Sequence, residues 1–147
     1  SDADLSTPIE EMDKFLARLD EGFDVLIGSR ALPGSAILVR QSPVREAMGK
    51  TFNLLVRLLV LRGIRDTQCG FKLFRREAAR AVFSAARIAG FGFDVEALRL
   101  CRALGFRILE IPVVWRNSAP SKVRLVSGSL GMIADLVRIR LRRGPVR

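Results

Sequence analysis

Asp2-Ala3-Asp4 sets two carboxylates one residue apart near the start of the chain. On an extended backbone such residues project to the same side. They could hold a divalent cation such as Mg²⁺, which takes one or two carboxylates together with substrate phosphates. The triplet also has a purely structural reading, because it runs into Thr7-Pro8-Ile9-Glu10. There Thr7 suits a helix N-cap, Pro8 a first helical position and Glu10 the far end of a capping box. The chain has no histidine, which excludes His-built zinc sites and Ser-His or Cys-His nucleophile pairs within these residues. Its two cysteines, Cys69 and Cys101, make no disulfide framework and fit a reducing compartment.

The second chemical signal is charge. A formal net charge of +10, carried mostly by arginine, favours a polyanionic partner: nucleic acid, anionic lipid or a phosphorylated substrate. Arginine also grips phosphate with a planar fork of donors. Nucleic-acid binders interleave aromatics with basic residues. Here there is no tyrosine, a single tryptophan, and phenylalanines mostly at core-like spacing, so no nucleic-acid partner is expected.

The elements that must position these residues follow from periodicity. At 147 residues and 49% hydrophobic, the chain suits one globular domain with a real core. No segment has the apolar length of a membrane span, and none reads as a signal peptide. A first helix is expected from Pro8 to Asp20, with Ile9, Met12, Phe15, Leu16 and Leu19 on its buried face and Gly22 as its stop. Phe23 to Ile27 reads as a buried strand leading into Gly28-Ser29-Arg30. A long loop with Pro33, Gly34 and Pro43 comes next. Val44 to Leu61 reads as an amphipathic helix, suited either to a core or to a membrane interface. Cys69 to Phe74 alternates like a half-buried strand, and Arg76 to Ala86 is helical. Asp94 could cap a helix reaching Leu104. Arg107 to Trp115 is a strand whose Pro112 places it at an edge or bulge. A last helix, Ser129 to Leu141, should bury Leu130, Ile133 and Val137, and it ends in Arg138, Arg140, Arg142 and Arg143. Alternating helices and strands indicate an α/β layered fold.

Asp66-Thr67-Gln68-Cys69-Gly70-Phe71-Lys72-Leu73-Phe74 is more specific than any of these patterns. Together with Asp2-Ala3-Asp4, Gly28-Ser29-Arg30, Phe93-Asp94-Val95-Glu96 and Ser121-Lys122, in that order, it resembles the family 2 glycosyltransferases that act on polyprenyl phosphates. The nearest likeness is to the dolichyl-phosphate β-glucosyltransferase group, related to the dolichyl-phosphate mannose synthases. Processive polysaccharide synthases carry a Gln-x-x-Arg-Trp pattern that this chain lacks, since Val113-Val114 precede Trp115.

The resemblance implies a GT-A, Rossmann-like domain of which residues 1–147 form the acceptor-side part, the nucleotide-binding half lying outside them. It implies an acceptor loop and amphipathic helix over residues 31–62 and a basic helix over residues 127–147. The implied reaction is inverting transfer of glucose from UDP-glucose to a polyprenyl or dolichyl monophosphate. A mannosyltransferase using GDP-mannose, or a non-catalytic basic module binding membranes, are the rival readings. Asp2 and Asp4 would hold Mg²⁺ or Mn²⁺. Arg30, Arg40 and Arg45 would meet the acceptor phosphate, Gln68 would line the pocket, and Ser121 and Lys122 would reach a phosphate. Asp66, Asp94 and Glu96 are the expected catalytic carboxylates. The partners implied are a nucleotide sugar, a polyprenyl phosphate lipid and an anionic membrane surface. The expected location is peripheral, at the cytoplasmic face of a membrane, with residues 1–147 inactive in isolation.

Overall fold

The computed structural model describes residue 1 and residues 5–90, 92–117 and 125–141, the last segment with side chains from residue 131. Among the described residues five strands are formed: β1 (Val25–Ser29), β2 (Ala36–Val39), β3 (Lys72–Phe74), β4 (Ile108–Pro112) and β5 (Val114–Arg116). Five α-helices accompany them among the described residues: α1 (Met12–Leu16), α2 (Pro43–Leu59), α3 (Arg76–Ala85), α4 (Phe93–Ala103) and α5 (Leu125–Leu141).

The expected α/β layering is present, with a mixed sheet flanked by helices. β1 lies at its centre, antiparallel to β3 and parallel to β4. Every residue of β1 is buried because both sheet faces are covered. Strand alternation divides its side chains. Val25 and Ile27 enter a core with Phe52 and Val56 of α2, Val82 of α3, Leu98 of α4 and Leu136 of α5. Leu26 enters a second core with Phe15, Phe71, Ile111 and Val113. In that second core Phe15 meets Phe71 edge to face, with ring centroids 5.1 Å apart. A second sheet pairs β2 with β5 in parallel, Ile37 opposite Trp115.

The structure corrects several expected elements. The helix from Pro8 to Asp20 is broken into 3₁₀ turns at Ile9–Glu11 and Leu19–Glu21 around the short α1. No side-chain cap forms at its start; Thr7 is buried with its hydroxyl 3.9 Å from the Cys69 sulfur. The cause lies in Glu11. Its buried carboxylate accepts hydrogen bonds from the Val114 amide and from Lys14, which tethers this turn to the sheet rather than letting a helix run on. Ile9 and Leu16 are consequently exposed, although Phe15 is buried. Gly22 stops the segment as expected, at φ 79°.

The first strand lies two residues later than Phe23 to Ile27. The long loop holds β2, because the apolar run Ala36–Val39 finds a partner almost eighty residues away in β5. Of Cys69 to Phe74 only Lys72–Phe74 is strand. The strand from Arg107 to Trp115 is two strands belonging to different sheets, β4 ending at Pro112 and β5 starting after Val113. Asp94 does not cap α4; Gly92 stands at the N-cap position.

In α5 the buried stripe is Leu136 and Ile139, with Met132 partly covered, whereas Ile133 and Val137 are 46% and 51% exposed. Both stripes have helical spacing, so sequence alone could not choose between them. The choice is made by α4: a Cβ on Gly92 would stand 2.7 Å from the Asp135 Cβ, so this glycine receives Asp135 and fixes the rotation of α5. Leu130, Arg142 and Arg143 fall outside the described side chains.

Candidate functional site

Arg30 follows directly on β1, at the end of a Gly28-Ser29-Arg30 segment whose backbone is closely packed. A Cβ on Gly28 would lie 2.9 Å from the Cys69 sulfur and 3.2 Å from the Phe71 carbonyl oxygen, so the strand can approach residues 69–71 only with glycine here. That approach places Arg30 over residues 65–68, the turn between α2 and β3.

Asp66 in this turn is buried, with a side chain 2% exposed. Arg30 donates to its carboxylate through Nε at 2.7 Å, Nη2 at 2.9 Å and its own amide at 3.0 Å. This is a bidentate fork, the strongest common ion-pair geometry. The Arg30 guanidinium also lies 5.4 Å from the centre of the Trp115 ring. Burial pushes the Asp66 pKa up. The Arg30 hydrogen bonds and charge, helped by the Arg30 and Gln68 amides, outweigh it and hold the carboxyl below the usual carboxylate range.

A cavity of about 810 Å³ opens beside this pair, between α2, Trp115 and α5. Arg30, Arg40 and Arg45 line it, with Asp66 and Gln68. Its other walls are largely apolar, including Met48, Phe52 and Leu55 of α2 and Ile133 of α5. Glu46, also on the wall, is paired with Lys50 at 2.7 Å. With Asp66 taken by Arg30, the described lining is net positive. The Gln68 Nε2 is a buried donor with no hydrogen-bond partner among the described residues.

Five residues singled out from the sequence, Arg30, Arg40, Arg45, Asp66 and Gln68, therefore meet around one cavity. Asp94 and Glu96 do not line it. Asp94 pairs with Lys72, whose side chain is 7% exposed, at 2.7 Å. Glu96 is buried and accepts from the Arg87 and Ile88 amides, both at 2.8 Å, tying the segment between α3 and α4 to α4. Asp2, Asp4, Ser121 and Lys122 lie outside the described residues. Among the described residues no group of three or more His, Cys, Asp and Glu side chains could hold a metal ion. The residues just after Asp4 are described: Leu5 has φ 51°, and the Ser6 carbonyl accepts the Arg116 amide at 2.7 Å. A non-glycine residue at positive φ is strained, and such strain gathers at functional sites.

Sequence reasoning missed Asn53 and Glu110, which hold the Asp66 turn. Asn53 Oδ1 accepts from the Thr67 amide and hydroxyl, and Glu110 accepts from the Arg65 and Asp66 amides. Each left a signal: a polar residue beside Phe52 in an amphipathic helix, and an acid inside the apolar strand Ile108–Pro112.

No family model matches the chain. It is 34% identical over 145 residues to a dolichyl-phosphate beta-glucosyltransferase of Trichomonas vaginalis, covering 95% of this chain and 43% of that protein. With the dolichyl-phosphate beta-glucosyltransferase of Dictyostelium discoideum it shares 41% identity over 119 residues, 80% of this chain and 36% of that protein. The glycosyltransferase AglD of Haloferax volcanii is 34% identical over 139 residues, 93% of this chain and 22% of that protein. The chain thus spans less than half the length of these relatives.

Proposed function

We propose that this chain, a homologue of the dolichyl-phosphate β-glucosyltransferases over most of its length, carries the acceptor site of a polyprenyl-phosphate glucosyltransferase of GT-A type. The observation that carries the reading is the cavity. Arg30, Arg40 and Arg45 border a largely apolar space, which suits an amphiphile with a phosphate head and a hydrocarbon tail. Glucose from UDP-glucose would pass to that phosphate with inversion.

The chemistry asks little of the protein. A phosphate monoester has a second pKa near 6, so at neutral pH it is mostly a dianion and already nucleophilic. No general base is required, and the geometry supports that economy. Asp66 is ionised but bound by Arg30 on both oxygens, Asp94 is paired with Lys72, and Glu96 is occupied by two amides. Asp66 therefore positions Arg30 instead of moving a proton. Arg40 and Arg45 bring positive charge to the acceptor phosphate, while Gln68 offers its amide donor. Asp2 and Asp4 would hold Mg²⁺ or Mn²⁺, which supplies Lewis-acid stabilisation of the leaving diphosphate. Ser121 and Lys122 would reach a phosphate.

The exposed side chains Leu54 and Leu58 of α2, and Val137, Arg138 and Arg140 of α5, suit docking at an anionic membrane on its cytoplasmic face. No helix of the described residues is long and apolar enough to cross a membrane.

The test is a donor screen on the full-length protein: labelled UDP-glucose, UDP-galactose and GDP-mannose, each with a short polyprenyl phosphate and with the unphosphorylated polyprenol. Glucose should be transferred to the phosphate alone, and chelation of divalent ions should stop it. Mannose transfer would replace the donor assignment; transfer to the polyprenol would remove the phosphate site.

A further inference from the structure

The turn that carries Asp66 is held in an unusual way. Four consecutive amides in it donate to side chains. Glu110 accepts from Arg65 at 2.9 Å and from Asp66 at 3.0 Å. Asn53 accepts from Thr67 at 3.3 Å, and the Asp66 carboxylate accepts from Gln68 at 3.2 Å. Residues 65–68 belong to no helix or strand, so these side chains set the turn's shape. A carboxylate bound to two successive amides fixes two peptide planes at once, with hydrogen bonds about twice as strong as neutral ones. The second of those planes bears Asp66, whose side chain takes the Arg30 amide, Nε and Nη2. Glu110 itself does not line the cavity. It stands opposite Ile27 in the β1–β4 ladder, between Leu109 and Ile111, where packing would favour an apolar residue.

We propose that Glu110 is a positioning residue for Arg30. By fixing the peptide planes of residues 65 and 66, it holds the Asp66 carboxylate where that group sets the Arg30 guanidinium against Trp115 at the edge of the cavity. The chain of contact runs from β4 to the turn and from the turn to the end of β1, and each link is a hydrogen bond to a carboxylate. Simple stabilisation of β4 by Glu110 would leave Arg30 unaffected. The kinetic consequence of the proposal rests on the acceptor site argued above, whereas its structural consequence does not.

Glu110→Gln in the full-length protein separates these roles. Glutamine has nearly the same shape but a single acceptor oxygen, and its amino group would face the other N–H. One of the two amides is left unsatisfied. Hydrogen exchange should rise at least about tenfold at Arg65 and Asp66 and also at Arg30, whose amide donates to Asp66 and not to Glu110. The amides of Val25 to Ile27 should keep their protection. In transfer assays the acceptor KM should rise about tenfold with the donor KM unchanged, because a loss of folded enzyme would lower kcat without touching either KM. Glu110→Asp keeps both oxygens but draws them back by one C–C bond, about 1.5 Å. It should give an intermediate Arg30 exchange rate, and it serves if the glutamine variant fails to fold.

Unchanged exchange at Arg30 would overturn the proposal, as would an equal rise along β1. A rise at Arg30 with an unmoved acceptor KM would overturn the link to the acceptor site. Absence of transfer by the wild-type protein would instead refute the proposed function, and Arg30 exchange would still decide the positioning role.

Discussion

Replacing Asp66 with asparagine removes the charge that binds Arg30 while nearly preserving volume. The wild-type carboxylate takes two guanidinium bonds and two amide bonds in a setting where its side chain is 2% exposed and that of Arg30 25% exposed. Breaking a fully buried pair by removing one partner costs about 3–5 kcal/mol. Arg30 borders the cavity and can recover part of its hydration there, so a loss of about 2–4 kcal/mol is expected. For a chain of this size each kcal/mol moves Tm by about 2–4 °C, a fall of roughly 4–16 °C.

The pH dependence has a definite sign. The folded-state pKa of Asp66 is lowered, so its contribution is fully present above the ordinary carboxylate value of 3.8 and is lost as pH falls through the lower folded-state pKa. The difference between wild type and Asp66→Asn should be flat from pH 5 to pH 8 and shrink only below about pH 4. Urea denaturation at several pH values reads it directly. A loss below about 1 kcal/mol at pH 7, the range of exposed ion pairs, would refute the claim that this pair organises the site.

Two further outcomes test the packing around it. Burial pushes the Cys101 thiol up to about 12 from an ordinary 9.0, an about thousandfold smaller thiolate fraction near neutral pH. Burial, then the Asp66 charge, also raises Cys69. Both thiols should resist a disulfide reagent at pH 8 in the folded protein and react promptly in urea; fast reaction of either when folded would contradict its burial. Gly28→Ala drives a methyl group to 2.9 Å from the Cys69 sulfur and 3.2 Å from the Phe71 carbonyl and Val113, and should cost about 1–3 kcal/mol by denaturation. A neutral substitution would remove the close-approach explanation of that glycine.

What the sequence could reveal followed how local each signal is. The helix over Arg76–Ala85 carries its own periodicity and stands within a residue of its expected bounds. Arg30, Arg40, Arg45, Asp66 and Gln68 were singled out by residue type, and the fold gathers them at one cavity. The elements that differed depend on distant partners. β2 exists because β5 pairs with it, the first helix breaks because Glu11 reaches Val114, and the buried stripe of α5 was chosen by a glycine at the start of α4. Glu110 and Asn53 share that reason. Their function lies in which backbone they touch, and nothing in their own segments names residues 65–67.

The most direct measurement of the central claim, that this cavity takes the phosphate of a lipid acceptor, is steady-state kinetics of full-length Arg40→Gln and Arg45→Gln. A charge-assisted hydrogen bond to phosphate is worth about 1.5–3 kcal/mol, so each variant should raise the acceptor KM by roughly tenfold or more. The donor KM should stay within error of wild type. An unchanged acceptor KM in both variants, or a rise confined to the nucleotide sugar, would contradict the assignment.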